Sequence, residues 1–373
     1  MQHARSGSTG SRTIWRRLAA LAATSALVLA ACGGDDDAAD DGATSDGPSD
    51  ASTIPASDDP LAALAAAAAL EDGIVWYESL PPEDADEVIA AFNQRFPDVT
   101  MDYQQLVGGV DIASRMVQET TAGAPTADIA TAAAAQAAEL NNRGLLLDLD
   151  FDAMGVEREE LIASNYAAIT SQSLFTIMYN TDLVEADDAP TTWEDLLDPQ
   201  WRGDIGTWIR GNYLSQMESE WGREQTDEYV SAFMEQSPRV FDSNATLAQA
   251  LGSGELAIGA LVYHPAVATI EAGAPIAVVW PEPVFAASNW TVVNKESQSP
   301  NSAMLFVAWL LTDEGNLAYE AATNRGNVFL DNASASLVEG RSIAEWNNPD
   351  DLEKDADAIE RYSLILERGE MTG

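Results

Sequence analysis

GIVWYESLPPEDADEVIAAFNQRFPDVTMDY, residues 73–103, sets the fold class. Gly73–Tyr77 is a short apolar run that closes on polar residues, as a buried strand does. Pro81 and Pro82 then meet a group of carboxylates, the composition of a helix's first turn. Val88, Ile89, Phe92 and Phe96 recur at helical spacing, and Val99–Tyr103 reads as a second strand. A strand, a helix and a strand in that order imply a parallel pair with a right-handed crossover.

The alternation continues outward from this unit. Asp111–Thr121 predicts a helix with Ile112, Met116 and Val117 on one face. Asp128–Ala130 predicts a third strand, followed by an alanine-rich helix to Leu140 and a turn at Asn142–Gly144. A second block opens with a strand over Ser173–Asn180 and a short helix over Thr192–Leu197. Strands are expected at Gly206–Ile209, Leu256–Tyr263, Ile276–Trp280 and Trp290–Asn294, the last leading back to the first block. A helix is expected over Ala245–Leu251, and Ala303–Leu311 is a strongly apolar one. The fold class is therefore α/β.

The N-terminal region reads differently. Arg12, Arg16 and Arg17 precede an apolar run, Leu18–Ala31, too short for an ordinary spanning helix. It ends in Leu29-Ala30-Ala31-Cys32, and Cys32 is the only cysteine. This resembles a bacterial lipoprotein signal, which implies export and acylation of Cys32. Residues 1–31 are then a signal peptide. Residues 32–71, rich in Gly, Ser, Asp and Ala, read as a disordered acidic tether, with a possible short helix over Leu61–Leu70.

Net charge is −43, from 61 acidic and 18 basic residues, and Lys295 and Lys354 are the only lysines. Residues 1–31 hold four arginines and no carboxylate, so −43 becomes −47 without them. Such a chain has nothing to neutralise a row of phosphates, which excludes nucleic acid as a partner. An acidic, lysine-poor surface matches adaptation to high salt, where the Debye length is about 3 Å at ~1 M and distant carboxylates barely reach a binding site.

Several segments together resemble one family. They are Tyr77, YNTDLV at 179–184, PTTWEDLLDPQWRGDI at 190–205, GSGELAIG at 252–259 and AMLFVAWLLTDEG at 303–315. The resemblance is to the extracellular solute-binding proteins of ABC importers, in the ferric iron and polyamine branch of the type II periplasmic-binding-protein fold. It implies two lobes, each a mostly parallel sheet flanked by helices, with two crossing hinge strands near Thr176–Thr181 and Ala287–Val293. Lobe 1 would span 72–175, lobe 2 176–286, and 287–373 would return to lobe 1 with C-terminal helices. Residues after about Ser334 carry no motif.

The family's ferric members hold metal with a histidine in the first βα loop, a glutamate in the third and two adjacent tyrosines after the Gly-Glu strand. Here the first loop offers Glu78, Ser79, Leu80 and Pro81, and the third offers Thr131–Ala135. The tyrosine pair falls on His264-Pro265, one step past Tyr263. Fe(III) wants several anionic oxygens, so this set is thin for iron. The family's anion-holding positions fall on Arg210, Gly211, Asn212 and Asn244, at strand ends and helix starts. They suggest a cradle for phosphate, phosphonate or carboxylate.

The candidate ligand residues are therefore Tyr77, Glu78, Ser79, Thr131, Arg210, Gly211, Asn212, Asn244, Tyr263 and His264. His264 would be a switchable donor, and Glu78 would face an amine if the ligand is zwitterionic. Plainer roles exist for several: Arg210 as a surface ion-pair partner, Asn244 as a helix cap, Tyr77 and Tyr263 as core aromatics.

The expected function is a monomeric, lipid-anchored receptor on the extracytoplasmic face of the membrane. It would need no cofactor or resident metal and would pass a small solute to a permease and its ATPase. The alternatives are an iron-binding receptor with an unusual ligand set, a signalling receptor, or an exported carboxylate hydrolase. The region after residue 31 has one histidine, no free thiol beyond Cys32 and no GxSxG elbow, which argues against an enzyme.

Overall fold

The computed structural model describes residues 59–369. Cys32, the signal segment and most of the tether lie outside them. In chain order the elements begin α1 (Pro60–Ala68), β1 (Ile74–Glu78), α2 (Pro82–Arg95), β2 (Met101–Gln105), α3 (Gly109–Thr121), β3 (Ile129–Ala133), α4 (Ala134–Asn142), β4 (Ile162–Ser164) and β5 (Ala167–Asn180). They continue with β6 (Ile205–Trp208), α5 (Asn212–Trp221), α6 (Arg223–Glu235), β7 (Arg239–Phe241), α7 (Asn244–Gly252), β8 (Ile258–Val262), α8 (Val267–Glu271), β9 (Ile276–Val279) and β10 (Val284–Val293). The last are α9 (Pro300–Leu310), α10 (Asp313–Thr323), α11 (Ala333–Leu337), β11 (Ile343–Ala344) and α12 (Leu352–Arg368).

Two parallel triplets form the sheet's outer parts. β1 pairs in parallel with β2 and β3, and β6 pairs in parallel with β7 and β8. β10 lies antiparallel to β3, and β5 lies antiparallel to β8, so these two long strands join the triplets. They pair with each other over Ala167–Leu174 and Ala286–Val292. One expectation is corrected here. Phe175–Tyr179 already pairs with β8, so β5 passes between the halves at about Ser171–Leu174, before the expected crossing at Thr176–Thr181. Burial on both faces hides the transition: nearly every residue of Ala167–Asn180 is buried, and the polar stretch Thr170–Ser173 at the crossing hides the strand's first half from a hydrophobic pattern.

Helix α2 shows how the sequence builds the first half. Pro82 starts it, Glu83 and Asp84 suit the positive end of its dipole, and Arg95 suits the other. Ala85, Val88 and Phe92 face inward, and the helix stops at Phe96 before Pro97, which disfavours helical geometry in the residue ahead of it. Phe92 meets Phe306 edge-on with centroids 5.1 Å apart and packs on Trp309 at 5.3 Å. Those residues belong to α9, where every residue from Ser302 to Leu310 is buried.

The tether ends earlier than expected. α1 is ordered against α9, with Leu64 and Ala68 buried in the same cluster as Phe92 and Phe306. Asp59 caps it by accepting from the Ala62 amide at 3.1 Å. Glu71 then accepts from the amides and side chains of Asn301 and Ser302 at 2.7–3.0 Å, capping α9. Among the described residues, α1 already packs into the core, because its small alanine faces allow close approach to an apolar helix.

The C-terminal segment spans both halves. β11 pairs with β10, and the Trp346 amide and indole donate to Gln216 and Ser215 of α5 at 2.9 Å each. Leu352, opening α12, is buried among residues of α3 and α4. Ala358, Tyr362, Ile365 and Leu366 are buried with α5 and α6 in the second half. Among the described residues no helix is long and apolar enough to cross a membrane.

Candidate functional site

β1 ends on two residues that its pleat sends to opposite faces. Tyr77 turns toward α3. Its hydroxyl donates to Glu119 at 3.0 Å, and the Arg115 guanidinium lies 5.1 Å from its ring centre. Glu78 turns to the other face with Trp76 and is 2 % exposed.

There it meets Arg325, itself 7 % exposed, with Nη2 at 3.3 Å from Oε1. The Ser79 amide and hydroxyl reach the same oxygen at 3.3 and 3.4 Å. Burial raises the Glu78 carboxyl's pKa against the pull of Arg325 and of hydrogen-bonding contacts from the Ser79 amide and the Thr131 hydroxyl. Its Oε2 nevertheless makes no hydrogen bond.

Arg325 is held by the chain after α10. Asn327 donates from Nδ2 to the Ile169 carbonyl at 2.7 Å, and Asn316 from Nδ2 to the Thr170 carbonyl at 2.8 Å. The Gln172 amide donates to the Gly326 carbonyl, and the Val328 amide to Gln172 Oε1, both at 3.0 Å. These bonds stitch 325–328 onto β5 where it crosses between the halves. Gly326 is required, because a Cβ there would lie 2.5 Å from Glu320 Oε1. Tyr319 accepts a short bond from Arg325 Nη2, and burial pushes its phenol up to about 12.

The second half contributes the turn after β8. Tyr263 donates its amide to the Leu174 carbonyl at 2.9 Å and packs on Trp280, with centroids 5.2 Å apart. His264 follows, with Nδ1 enclosed and without a hydrogen bond. Burial, then the charge of Arg325, hold its pKa well below 6.5, so the imidazole is neutral at neutral pH. Four enclosed polar atoms thus lie unpartnered around one segment: Glu78 Oε2, Arg325 Nε, Gln172 Nε2 and His264 Nδ1.

Residues 87–339 match the family model for bacterial extracellular solute-binding proteins. The chain belongs to this family. No curated protein sequence matches it. Among solved structures, this solute-binding protein resembles iron-bound HitA from Pseudomonas aeruginosa at 17 % identity and a TM-score of 0.66, covering 79 % of this chain and 99 % of that one. AfuA from Actinobacillus pleuropneumoniae, bound to fructose-6-phosphate, is 17 % identical with a TM-score of 0.60, covering 77 % and 98 %. The spermidine/putrescine protein PotD from Streptococcus pneumoniae is 15 % identical with a TM-score of 0.60, covering 79 % and 99 %. These likenesses establish the two-part α/β fold.

The solute-binding protein's expected site residues divide into two groups. Glu78, Ser79, Tyr263 and His264 gather around Arg325 and its segment. Thr131 borders them through the Glu78 carboxyl, and the others have different work. Thr131 is buried in a hydroxyl chain, bonded to Trp76 Nε1 at 3.2 Å and Thr291 at 2.9 Å. Tyr77 belongs to the α3 face.

The cradle expected at residues 210–212 and 244 is not assembled. Arg210 is exposed, its guanidinium 5.9 Å from the Trp208 ring centre. The Gly211 amide donates to Ser363 Oγ of α12 at 2.9 Å, and Tyr362 covers that glycine. Asn212 Oδ1 is buried without a partner, and Asn244 Oδ1 accepts from the Val262 amide at 3.0 Å. The physical reason is α12, which occupies the start of α5.

Arg325, Tyr319 and Gln172 were missed. The available signal was the run Asn324-Arg325-Gly326-Asn327, a cation in a turn within an otherwise acidic chain. Among the described residues, no three His, Cys, Asp or Glu side chains are placed to hold a metal.

Proposed function

We propose that this protein is the lipid-anchored, exported receptor of an ABC importer, monomeric, capturing one small solute between two lobes and passing it to a permease. The lobes would correspond to about 72–175 with the return from 287, and 176–286, joined by β5 and β10, with the C-terminal segment packing on both. The observation that supports this reading is the buried Glu78–Arg325 contact, with His264 of the turn after β8 near enough to feel the Arg325 charge. Glu78 and Arg325 are already buried here, so hinged opening would admit the solute and closure would bury it.

The ligand is a small organic anion or zwitterion. A bare ferric ion is disfavoured by the fixed guanidinium. Like charges 4 Å apart repel by about 4 kcal/mol per unit of ligand charge at an effective dielectric constant of 20. The neutral histidine and the protonated phenols of Tyr263 and Tyr319 do not replace the anionic oxygens that iron needs. Export and acylation at Cys32 fit a receptor that must stay near its permease.

The test is retention. Purified protein is mixed with a pooled set of small metabolites, desalted and read by native mass spectrometry. A single compound held 1:1 and released unchanged supports the receptor reading. A compound released in altered form would make the protein an enzyme, and retention of none would refute capture.

A further inference from the structure

We propose that Glu78 and Arg325 form an exchangeable ion pair that sets the solute class: a compact zwitterion whose carboxylate takes Arg325 and whose ammonium takes Glu78. This rests on the receptor reading above.

The pair is built incompletely for a structural one. A guanidinium and a carboxylate normally close through two parallel bonds. Here a single contact of 3.3 Å joins Nη2 to Oε1, and Nη2 makes both of the guanidinium's hydrogen bonds. Arg325 Nε is enclosed and unpartnered, and Glu78 Oε2 is enclosed with no hydrogen bond of ordinary length, only the more distant Thr131 hydroxyl bearing on the carboxyl. Buried charged groups with free valences are costly, and native proteins leave few of them. Two on one pair point to a ligand that supplies the missing partners.

Each charge is also positioned independently of the other. Glu78 is fixed by the register of β1, opposite Gln105 of β2. Arg325 is fixed by the Asn316, Asn327 and Gln172 bonds to β5. The backbone that carries each residue is thus held without the other, so parting the two side chains need not displace either element.

Charge balance selects the ligand. A simple anion at Arg325 would face the Glu78 carboxylate. A simple cation at Glu78 would face the guanidinium. Only a molecule carrying both signs satisfies both residues and leaves the buried site neutral. The remaining groups suit the same ligand. Gln172 Nε2 is a spare donor for a carboxylate oxygen. Neutral His264 has one ring nitrogen to donate and one to accept. The nearby phenol of Tyr319 already accepts from Arg325.

The experiment measures melting shifts and calorimetric Kd values for the purified protein. The probes are the standard α-amino acids and linear ω-amino acids of three to six carbons. Each binder is repeated as its N-acetyl derivative and its methyl ester, with inorganic phosphate and spermidine as single-sign probes. At least one zwitterion should bind, and removal of either charge should weaken it about 100-fold.

Glu78→Gln and Arg325→Met should each cost a similar factor. The double variant E78Q/R325M removes both charges together, so it should keep the wild-type fold while losing zwitterion binding. Three results overturn the proposal: no shift with any zwitterion, equal binding of a singly charged derivative, or binding unchanged in the double variant. If the pooled assay still yields an unaltered solute, the receptor reading survives and only the exchangeable pair falls. If the retained compound is chemically altered, the receptor reading falls.

Discussion

Raising the pH should loosen the C-terminal segment, and one variant should remove the Glu345 share of the effect. Glu345 accepts from Ser288 Oγ of β10 at 2.7 Å. Burial, opposed by Ser288 and aided by the charge of Asp355, pushes its carboxyl from 4.5 up to about 7. Asp355 accepts from Ser215 and Gln216 of α5 at 2.5 and 3.2 Å, and burial moves it from 3.8 up to about 6. In both cases the folded chain prefers the protonated acid, so it binds more protons than the unfolded chain between the two pKa values. Stability then falls as pH rises through that window and is flat above it. For Glu345 the window runs from 4.5 to about 7. At 1.36 kcal/mol per tenfold change in proton affinity, the loss is about 3 kcal/mol. Glu345 keeps part of its surface in water, so that figure is the upper bound. For a chain of this size it corresponds to a melting shift of roughly 5 °C. Glu345→Gln stays uncharged, so its melting curve should match wild type at pH 4 and rise above it progressively to pH 7. Parallel profiles for the two proteins from pH 4 to 8 would refute the buried-carboxyl reasoning.

Other substitutions test the packing and the site. Gly211→Ala places a Cβ 2.5 Å from Tyr362 Cβ and 2.8 Å from the Ser363 amide nitrogen, so α12 must shift. The expected cost is about 1–3 kcal/mol, with faster proteolysis of the C-terminal segment. Arg210→Ala should leave solute affinity unchanged and alter stability by less than about 0.5 kcal/mol in urea melts, because the side chain is exposed and serves only Trp208. Phe92→Ala removes a fully buried ring from the α2–α9 contact and should cost about 3–5 kcal/mol in the same melts.

The first half was legible because its signals are local. The helical spacing of Val88 and Phe92 and the prolines before them belong to one element, and the structure keeps them. The crossing of β5 was misplaced because Ala167–Asn180 is buried on both faces, which erases the alternation that would mark a change of partner. The proposed site was legible only in part. Strand-end placement pointed to Tyr77 and Tyr263, and the family resemblance to Glu78 and His264. Arg325 escaped because its partner is 247 positions away, and no local pattern encodes such a pair. The anion cradle failed for the same reason. Gly211 and Asn212 have the right residues at the right place, but Tyr362 and Ser363 arrive from the chain's far end to cover them. α12 itself could have been read from Leu352, Ala358, Tyr362 and Ile365, an inward face within a charged segment.

The most direct measurement is a crystal structure of the protein grown with the compound it retains. Electron density for that compound should lie between the two halves, within hydrogen-bonding distance of Glu78, Arg325 and His264, with the Glu78–Arg325 contact opened. Density confined to the start of α5 near Arg210, or to an outer surface with the Glu78–Arg325 contact intact, would contradict it.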